Sequence, residues 1–179
     1  DDDSEDVRRS VANHLNDIAK DLPQLVIETC RRWWQDGSPE RRWIVQRALR
    51  TLVKDGDPDA LAVLGFGSAQ VELTDFRAAP DPLRLGEKLS LTFTLHNPTD
   101  TEQNLVIDFV IHFVKANGQT SGKVFKLKTA VLAPNQSLTI QKSHSIKPIT
   151  TRTYYPGTHR VEIQVNGQRL GERTFELIV

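Results

Sequence analysis

Basic side chains recur at helical spacing in two segments near the start of the chain. At about 100° per residue, the polar face of the first segment carries one set of side chains, namely Arg9, Asn13, Asn16, Asp17 and Lys20. The same face of the second segment carries Trp43, Arg47, Arg50 and Lys54. Cations at this spacing can follow a phosphate backbone, and an exposed tryptophan beside them can stack on a base. A solvated helix face, with Trp43 packed against another element, is the alternative.

One carboxylate, Asp17, lies among these cations. We expect the positive potential of Arg9 and Lys20 to keep it ionised at neutral pH. Because an ionised carboxylate repels phosphate, this position suits a chemical task such as stabilising a developing cation or orienting a water molecule. A simple ion pair with Lys20 or Arg9 is the structural alternative that the sequence leaves open.

Other kinds of chemistry have little support in the sequence. Lys and Arg total 23 and Asp and Glu total 23, so the net charge of the whole chain indicates neither nucleic acid nor membrane. A single cysteine, Cys30, supports neither a zinc site nor an internal disulfide, and suits a reducing compartment. No apolar run approaches the roughly 18 residues of a membrane-spanning helix. We therefore expect no metal and no cofactor.

The two segments belong to a part of the chain that is predicted to be helical. Helices are expected over about 6–20, 23–36, 39–55 and 58–65. A shift of 34 residues places Leu15 on Leu49 and aligns the two polar faces. Paired helices with such a period predict HEAT-like α-solenoid repeats. Because a stack needs about three repeats and the chain has no methionine, we expect further repeats before Asp1.

The remainder of the chain is predicted to form strands. Seven alternating segments are separated by turn residues, at about 70–77, 87–96, 104–115, 123–132, 137–145, 158–166 and 169–178. The pairs Asn117-Gly118 and Asn166-Gly167 indicate hairpin turns. This pattern favours an Ig-like antiparallel β-sandwich without a disulfide. The expected fold is therefore multidomain, α then β, with HEAT-like α-solenoid repeats over 1–66 and the sandwich over 69–179.

Positive charge is concentrated in both parts. Residues 7–56 carry 10 basic and 6 acidic side chains. In the sandwich, six cations lie close together in the sequence, namely Lys123, Lys126, Lys128, Lys142, Lys147 and Arg152. They suggest either a second contact to nucleic acid or a solvated sheet face.

Two segments, Val7–Asp21 and Arg42–Lys54, resemble the HEAT-like-repeat DNA glycosylases of bacterial alkylation repair, specifically the AlkC-type branch, some members of which end in an Ig-like domain. The resemblance implies an enzyme that removes cationic alkylated bases such as 3-methyladenine from double-stranded DNA. Relatives can leave the damaged base stacked, unlike enzymes that flip bases. The resemblance also implies a bacterial, cytoplasmic and nucleoid-associated monomer without a membrane or metal partner.

The resemblance assigns roles to particular residues. It implies that Asp17 is the catalytic carboxylate, which stabilises the oxocarbenium-like sugar and helps to position water. It implies that Arg8 and Arg9 contact the DNA backbone and that Arg47 and Arg50 bind further phosphates. The polar helix faces add Asn13, Lys20, Trp43 and Lys54 to the candidate DNA-binding residues. A non-catalytic HEAT-type scaffold, with an Ig-like adaptor that binds protein or nucleic acid, is the alternative function.

Overall fold

A computed structural model describes residues 2–35 and 37–179 of the chain. It contains two compact units, one ending at Ser68 and the other spanning Ala69–Val179. The helices of the first unit are α1 (Glu5–Ile18), α2 (Pro23–Gln35), α3 (Pro39–Ala48), α4 (Arg50–Asp55) and α5 (Pro58–Val63). The predicted end of the second helix, Asp36, lies outside the described residues. None of the helices in the described ranges is long and apolar enough to cross a membrane.

Polar side chains at the N-cap position cap three of these helices. The side-chain oxygen of Ser4 accepts a hydrogen bond from the first turn of α1. Ser38 Oγ accepts from the amide of Arg41 at 3.2 Å, and Asp57 Oδ1 accepts from the amide of Ala60 at 2.8 Å. Each bond satisfies an amide that the helix itself leaves without a partner.

The prediction of an α-solenoid is wrong. In the described part of the chain, 42% of the residues lie in strands and 28% in helices. The five helices are short, and no solenoid is evident among them. The predicted third helix breaks at Leu49, which is fully buried with φ −84° and ψ 0°. The apparent repeat therefore pairs Leu15 of a continuous helix with a residue at a helix break. Both leucines pack with the same core, which gives the two segments similar apolar patterns without stacked repeats.

One core joins the helices of the first unit. Its fully or nearly buried members are Ala19, Val26, Ile27, Cys30, Val45, Ala48, Leu49, Ala60 and Val63. Burial raises the pKa of the Cys30 thiol to about 11, so this thiol stays protonated at neutral pH. Cys30 is a packing residue of this core.

The second unit consists of two packed sheets, and the predicted Ig-like β domain fits this arrangement. Its strands are β1 (Glu72–Ala79), β2 (Leu83–Arg84), β3 (Lys88–His96), β4 (Gln103–Val114), β5 (Thr120–Leu132), β6 (Ser137–Ser145), β7 (Gly157–Val165) and β8 (Gln168–Ile178). One sheet has the order β1-β3-β6, and the other has the order β2-β8-β7-β4-β5. Only the two-residue strand β2, which the sequence did not predict, pairs in parallel within the described sheets.

The two Asn-Gly pairs form different turns. Asn166 and Gly167 both have positive φ, 45° and 80°, and they form the two-residue turn that joins β7 to β8. This prediction is confirmed. Gly118 has φ 76° and lies in a five-residue connection between Val114 and Thr120, which joins the antiparallel strands β4 and β5, so the predicted hairpin is present with a longer loop.

Asn97 is fully buried and ties together the ends of several strands. Its Nδ2 donates to the carbonyl oxygens of Thr101, Leu132 and Ala133 at 2.8, 3.1 and 3.0 Å. Its Oδ1 accepts from the amide and the hydroxyl of Thr99 at 3.0 and 2.7 Å. The side chain therefore connects the turn after β3 to the turn after β5.

We expect Asn97→Ala to lower the free energy of unfolding by about 2–4 kcal/mol, because it removes several hydrogen bonds and leaves buried carbonyl groups without partners. Urea denaturation followed by circular dichroism would measure the change. The matched control is Asn104→Ala, since Asn104 is exposed and its replacement is expected to change stability by less than about 0.5 kcal/mol. Equal effects of the two substitutions would contradict the role given to Asn97.

A second stability prediction concerns His159, which is fully buried beside Phe113 and Phe175. Its Nε2 donates to the carbonyl of Tyr155 at 3.1 Å. Burial lowers the pKa of His159, so the ring is neutral in the folded protein. The unfolded chain binds a proton below about pH 6.5, which means that the free energy of unfolding falls as the pH falls below that value.

We expect His159→Gln to flatten this loss of stability between pH 7 and pH 5, because glutamine does not titrate and can still donate to Tyr155. Urea denaturation at several pH values would measure it. His96→Gln replaces a half-buried histidine of the same unit and is the matched control. An unchanged slope in the His159 variant would show that acid destabilisation arises elsewhere.

Candidate nucleic-acid interface

The candidate catalytic carboxylate, Asp17, lies on the surface of α1 near its C-terminal end. Its Oδ1 accepts a hydrogen bond from Lys20 Nζ at 2.7 Å, and both side chains are exposed. The contact with Lys20 holds the pKa of Asp17 below its usual value, and the charges of Arg50 and His14 act in the same direction. The carboxylate is therefore ionised at neutral pH, and the ion pair with Lys20, which the sequence left open as the structural alternative, is formed.

The two arginines that precede Asp17 face the start of α1 instead. Arg8 Nη1 donates to the carbonyl oxygens of Asp2 and Asp3 at 2.6 and 3.0 Å. The guanidinium of Arg9 forms ion pairs with Glu5 and Asp6 on its own helix. The expectation that Arg9 keeps Asp17 ionised is therefore wrong, and Lys20 and Arg50 carry that role.

Asn16 departs from the predicted polar face because its side chain is buried, with 4% of its surface exposed. Its Oδ1 lies 3.4 Å from the amide of Thr51 in the first turn of α4. Leu49, the residue before α4, supplies no side-chain cap. Asn16 therefore caps α4 from a distant part of the chain, and this contact holds the end of α1 beside the break between α3 and α4. Neighbouring Asn13 is half-buried.

The second predicted segment places its side chains around the same break. The Arg47 guanidinium carbon lies 5.5 Å from the centre of the Trp43 ring, and this ring is half-buried rather than freely exposed. Arg47 Nε is buried and has no hydrogen-bond partner among the described residues. Arg50 Nη1 donates to the carbonyl oxygen of Arg47 at 2.6 Å, which satisfies a group that the helix break leaves open. Lys54 is exposed.

The packing of α1 against α3 brings part of the predicted set together. Asp17, Lys20 and Arg50 form one charged patch at the C-terminal end of α1. A pocket of about 370 Å³ adjoins it, lined by Asn16, Ala19, Lys20, Pro23, Thr51, Leu52, Asp55 and Asp57. Arg8 and Arg9 lie at the opposite end of the helix. Sequence reasoning missed the pocket because Asn16 and Thr51 are 35 residues apart and meet only through packing.

The patch can serve electrostatic chemistry. An ionised carboxylate with one oxygen bound to a lysine can stabilise a cation that forms beside it. The neighbouring guanidinium and ammonium groups can bind phosphate oxygens. No group of three or more His, Cys, Asp or Glu side chains within residues 2–35 and 37–179 could hold a metal ion.

Comparison with known proteins places the second unit in a family. The family model described as "Uncharacterised protein YhaZ, C-terminal Ig-like domain" matches residues 72–179. The chain belongs to this family. The protein YhaZ of Bacillus subtilis is 38% identical over 163 residues, which cover 90% of this chain and 45% of that protein.

Solved structures extend the similarity to the whole chain. The alkylpurine DNA glycosylase AlkC of Pseudomonas fluorescens, bound to DNA containing an abasic site analog, has 42% identity and a TM-score of 0.96. The match covers 99% of this chain and 50% of that chain. A β-glucosidase of Erythrobacter marinus has 15% identity and a TM-score of 0.52, covers 61% of this chain and 15% of its own, and shows a shared fold alone. This chain spans about half the length of YhaZ and of AlkC.

Proposed function

We propose that this chain acts in DNA alkylation repair, as part of a DNA glycosylase that excises cationic alkylated bases such as 3-methyladenine. The observation that carries the proposal is the similarity to a DNA-bound alkylpurine DNA glycosylase over 99% of the chain at 42% identity. The charged patch at the end of α1 supports it, because the patch combines a carboxylate with phosphate-binding cations. In this proposal residues 1–66 contact DNA and supply catalysis, and 69–179 form the Ig-like domain.

The proposed reaction is hydrolysis of the N-glycosidic bond. As the bond between C1′ and the base nitrogen breaks, its electron pair neutralises the cationic base and leaves positive charge on the sugar. Such a leaving group needs no proton from the enzyme, so a single carboxylate at the sugar suffices. Asp17 stabilises the sugar cation and orients the water that adds to C1′ and then loses a proton. Its low pKa suits this role because the group is ionised before substrate binds.

The proposed DNA contacts divide into two groups. Lys20, Arg47, Arg50 and Lys54 bind phosphates around Asp17, with Trp43 as an apolar support for the Arg47 guanidinium. Arg8, Arg9 and Asn13 contact the backbone further along α1. For Arg8 and Arg9 this requires exchange of their present partners near the start of the helix for phosphate oxygens. The protein acts as a monomer and is expected at the nucleoid.

The experiment that tests the function measures release of methylated bases from alkylated duplex DNA, separated by chromatography. The assay uses a protein that contains this sequence and has the full length of YhaZ or AlkC. We expect 3-methyladenine to be released in preference to uncharged lesions, since only a cationic base leaves without protonation. Tight DNA binding with no base release above the spontaneous rate would contradict the glycosylase and favour a DNA-binding scaffold.

A further inference from the structure

Two edge strands of the Ig-like unit each carry a lysine on the sheet face that is turned towards the core. β5 ends one sheet and β6 ends the other. Lys123 of β5 pairs with Ile111, and Lys142 of β6 pairs with Leu91. Paired residues lie on the same face of a sheet, and both partners are fully buried. The two lysines therefore project from the core-facing side of an edge strand, where the alternating pattern calls for apolar residues, and both side chains are exposed.

Aromatic rings occupy the space beside these lysines. The His144 ring on β6 lies 4.4 Å from the Phe125 ring on β5 and 5.3 Å from the Phe109 ring, measured between centres. Lys123 Nζ lies 5.4 Å from the centre of the Phe125 ring. His144 thus packs between the two edge strands, with Leu89 as its partner on β3.

A third cation comes from the connection between β6 and β7. The Arg152 guanidinium carbon lies 3.8 Å from the centre of the Phe113 ring and 5.9 Å from that of Tyr154. The Phe113 ring contacts Phe125 at 6.5 Å between centres. One continuous aromatic cluster therefore supports two cations, Lys123 and Arg152, and its His144 ring lies two positions from Lys142 on β6. We name Lys123, Lys142 and Arg152, together with this aromatic support, the cationic cleft.

The charges of the cationic cleft act on one titratable ring. Burial and the charges of Lys142, Arg152 and Lys123 all lower the pKa of His144. In the described part of the chain, no carboxylate forms an ion pair with any of these three cations. Like charges held together without a counter-ion repel one another. Inward lysines protect sheet edges from pairing, but edge protection does not explain a third cation contributed by a connecting segment.

We propose that Lys123, Lys142 and Arg152 bind a phosphate group in the cationic cleft, and that His144 takes up a proton when the phosphate binds. The negative charge of a bound phosphate offsets part of the positive charge of these three cations, so protonation of the His144 ring becomes less unfavourable. The phosphate can come from a nucleic-acid backbone or from a free phosphate ion. The DNA source rests on the proposed function, whereas the binding of a free oxyanion does not.

The first experiment measures oxyanion binding to the 179-residue chain by nuclear magnetic resonance. Inorganic phosphate is titrated at pH 7.5 against sodium chloride of equal ionic strength. The triple variant Lys123→Gln, Lys142→Gln, Arg152→Gln is expected to bind at least about tenfold more weakly, because it loses the charge-assisted bonds. The matched control changes the same residue types on other surfaces, Lys88→Gln, Lys115→Gln and Arg77→Gln, and should bind as the parent chain does. Equal affinity in all three proteins would overturn the proposal.

The second experiment follows the His144 ring signals of the unaltered chain between pH 5 and pH 8. Sulfate is the probe, since it remains a dianion across this range. Saturation with sulfate is expected to raise the pKa of His144. A His144 titration that sulfate does not move would overturn the linked protonation. Because this measurement needs no substitution, it tests whether oxyanion binding is linked to His144 protonation even if the triple variant does not fold.

A third measurement identifies the source of the phosphate. Binding of an undamaged DNA duplex is compared between the triple variant and its control at several salt concentrations. Weaker binding and a smaller salt dependence in the triple variant alone assign the site to the DNA backbone. Loss of sulfate binding with unchanged DNA binding assigns it to a free oxyanion. A protein without glycosylase activity would contradict the proposed function but would not affect the sulfate measurement. The proposed function and the proposed oxyanion site can therefore be refuted independently.

Discussion

Replacement of Asp17 by asparagine is expected to slow base release by roughly 10²–10³-fold, the effect of removing one electrostatic group from a developing charge. The amide keeps the size of the side chain but cannot stabilise a cationic sugar. DNA affinity should stay the same or rise slightly, because the substitution removes a negative charge that repels phosphate. Single-turnover release of 3-methyladenine and fluorescence anisotropy with labelled duplex would measure the two quantities.

The matched control is Asp21→Asn, which makes the same change of charge at an exposed position just beyond α1. It should release the base at the rate of the parent protein. Because the contact with Lys20 holds the pKa of Asp17 below its usual value, protonation of this group should not reduce the rate at neutral or mildly acidic pH. A normal rate of release in the Asp17 variant would show that another group carries the charge stabilisation.

The second large effect is expected from the cations around the break between α3 and α4. Combined replacement of Arg47, Arg50 and Lys54 by glutamine removes three proposed phosphate contacts. We expect the slope of log affinity against log salt to fall by roughly 0.9 per contact, and binding at low salt to weaken by a factor on the order of 10² or more. Anisotropy titrations across a range of sodium chloride concentrations would measure both.

The control for this experiment replaces three other arginines of the helical unit, Arg31, Arg32 and Arg42, which alters net charge by the same amount. Its salt slope should change much less if the interface lies where we propose. Circular dichroism is needed for the first variant, since the hydrogen bond from Arg50 to the Arg47 carbonyl also closes the helix break. Identical salt slopes in a folded test variant and its control would indicate general attraction instead of a localised interface.

Local patterns predicted some features well and others poorly. The caps at Ser38 and Asp57 are local features, because each side-chain oxygen accepts from an amide only three residues further along the chain. The turn at Asn166 and Gly167 follows from the tolerance of these residues for positive φ. The solenoid prediction failed because amphipathic helices of similar pattern do not specify how they pack. Leu49 could not be recognised as a helix break, since nothing in its own neighbourhood interrupts the pattern.

The candidate site residues also divide into contacts that local patterns predicted and contacts that they did not. The pair formed by Asp17 and Lys20 was predictable because residues three positions apart on a helix are neighbours. The burial of Asn16 was not, because its partner, the Thr51 amide, becomes available only where α4 starts. Trp43 looked exposed on a helical wheel, but its ring is half-buried and covered by Arg47.

Residue order alone therefore specified where strands and turns form, which helix faces are apolar and where positive charge collects, because these depend on side-chain chemistry over a few neighbouring positions. Packing determined which charged groups meet. The charge of Arg50 acts on Asp17 only because separate helices pack together. Lys123, Lys142 and Arg152 surround His144 only because the edges of two sheets and a connecting segment converge. Such meetings depend on contacts between residues far apart in the chain, and no local pattern encodes them.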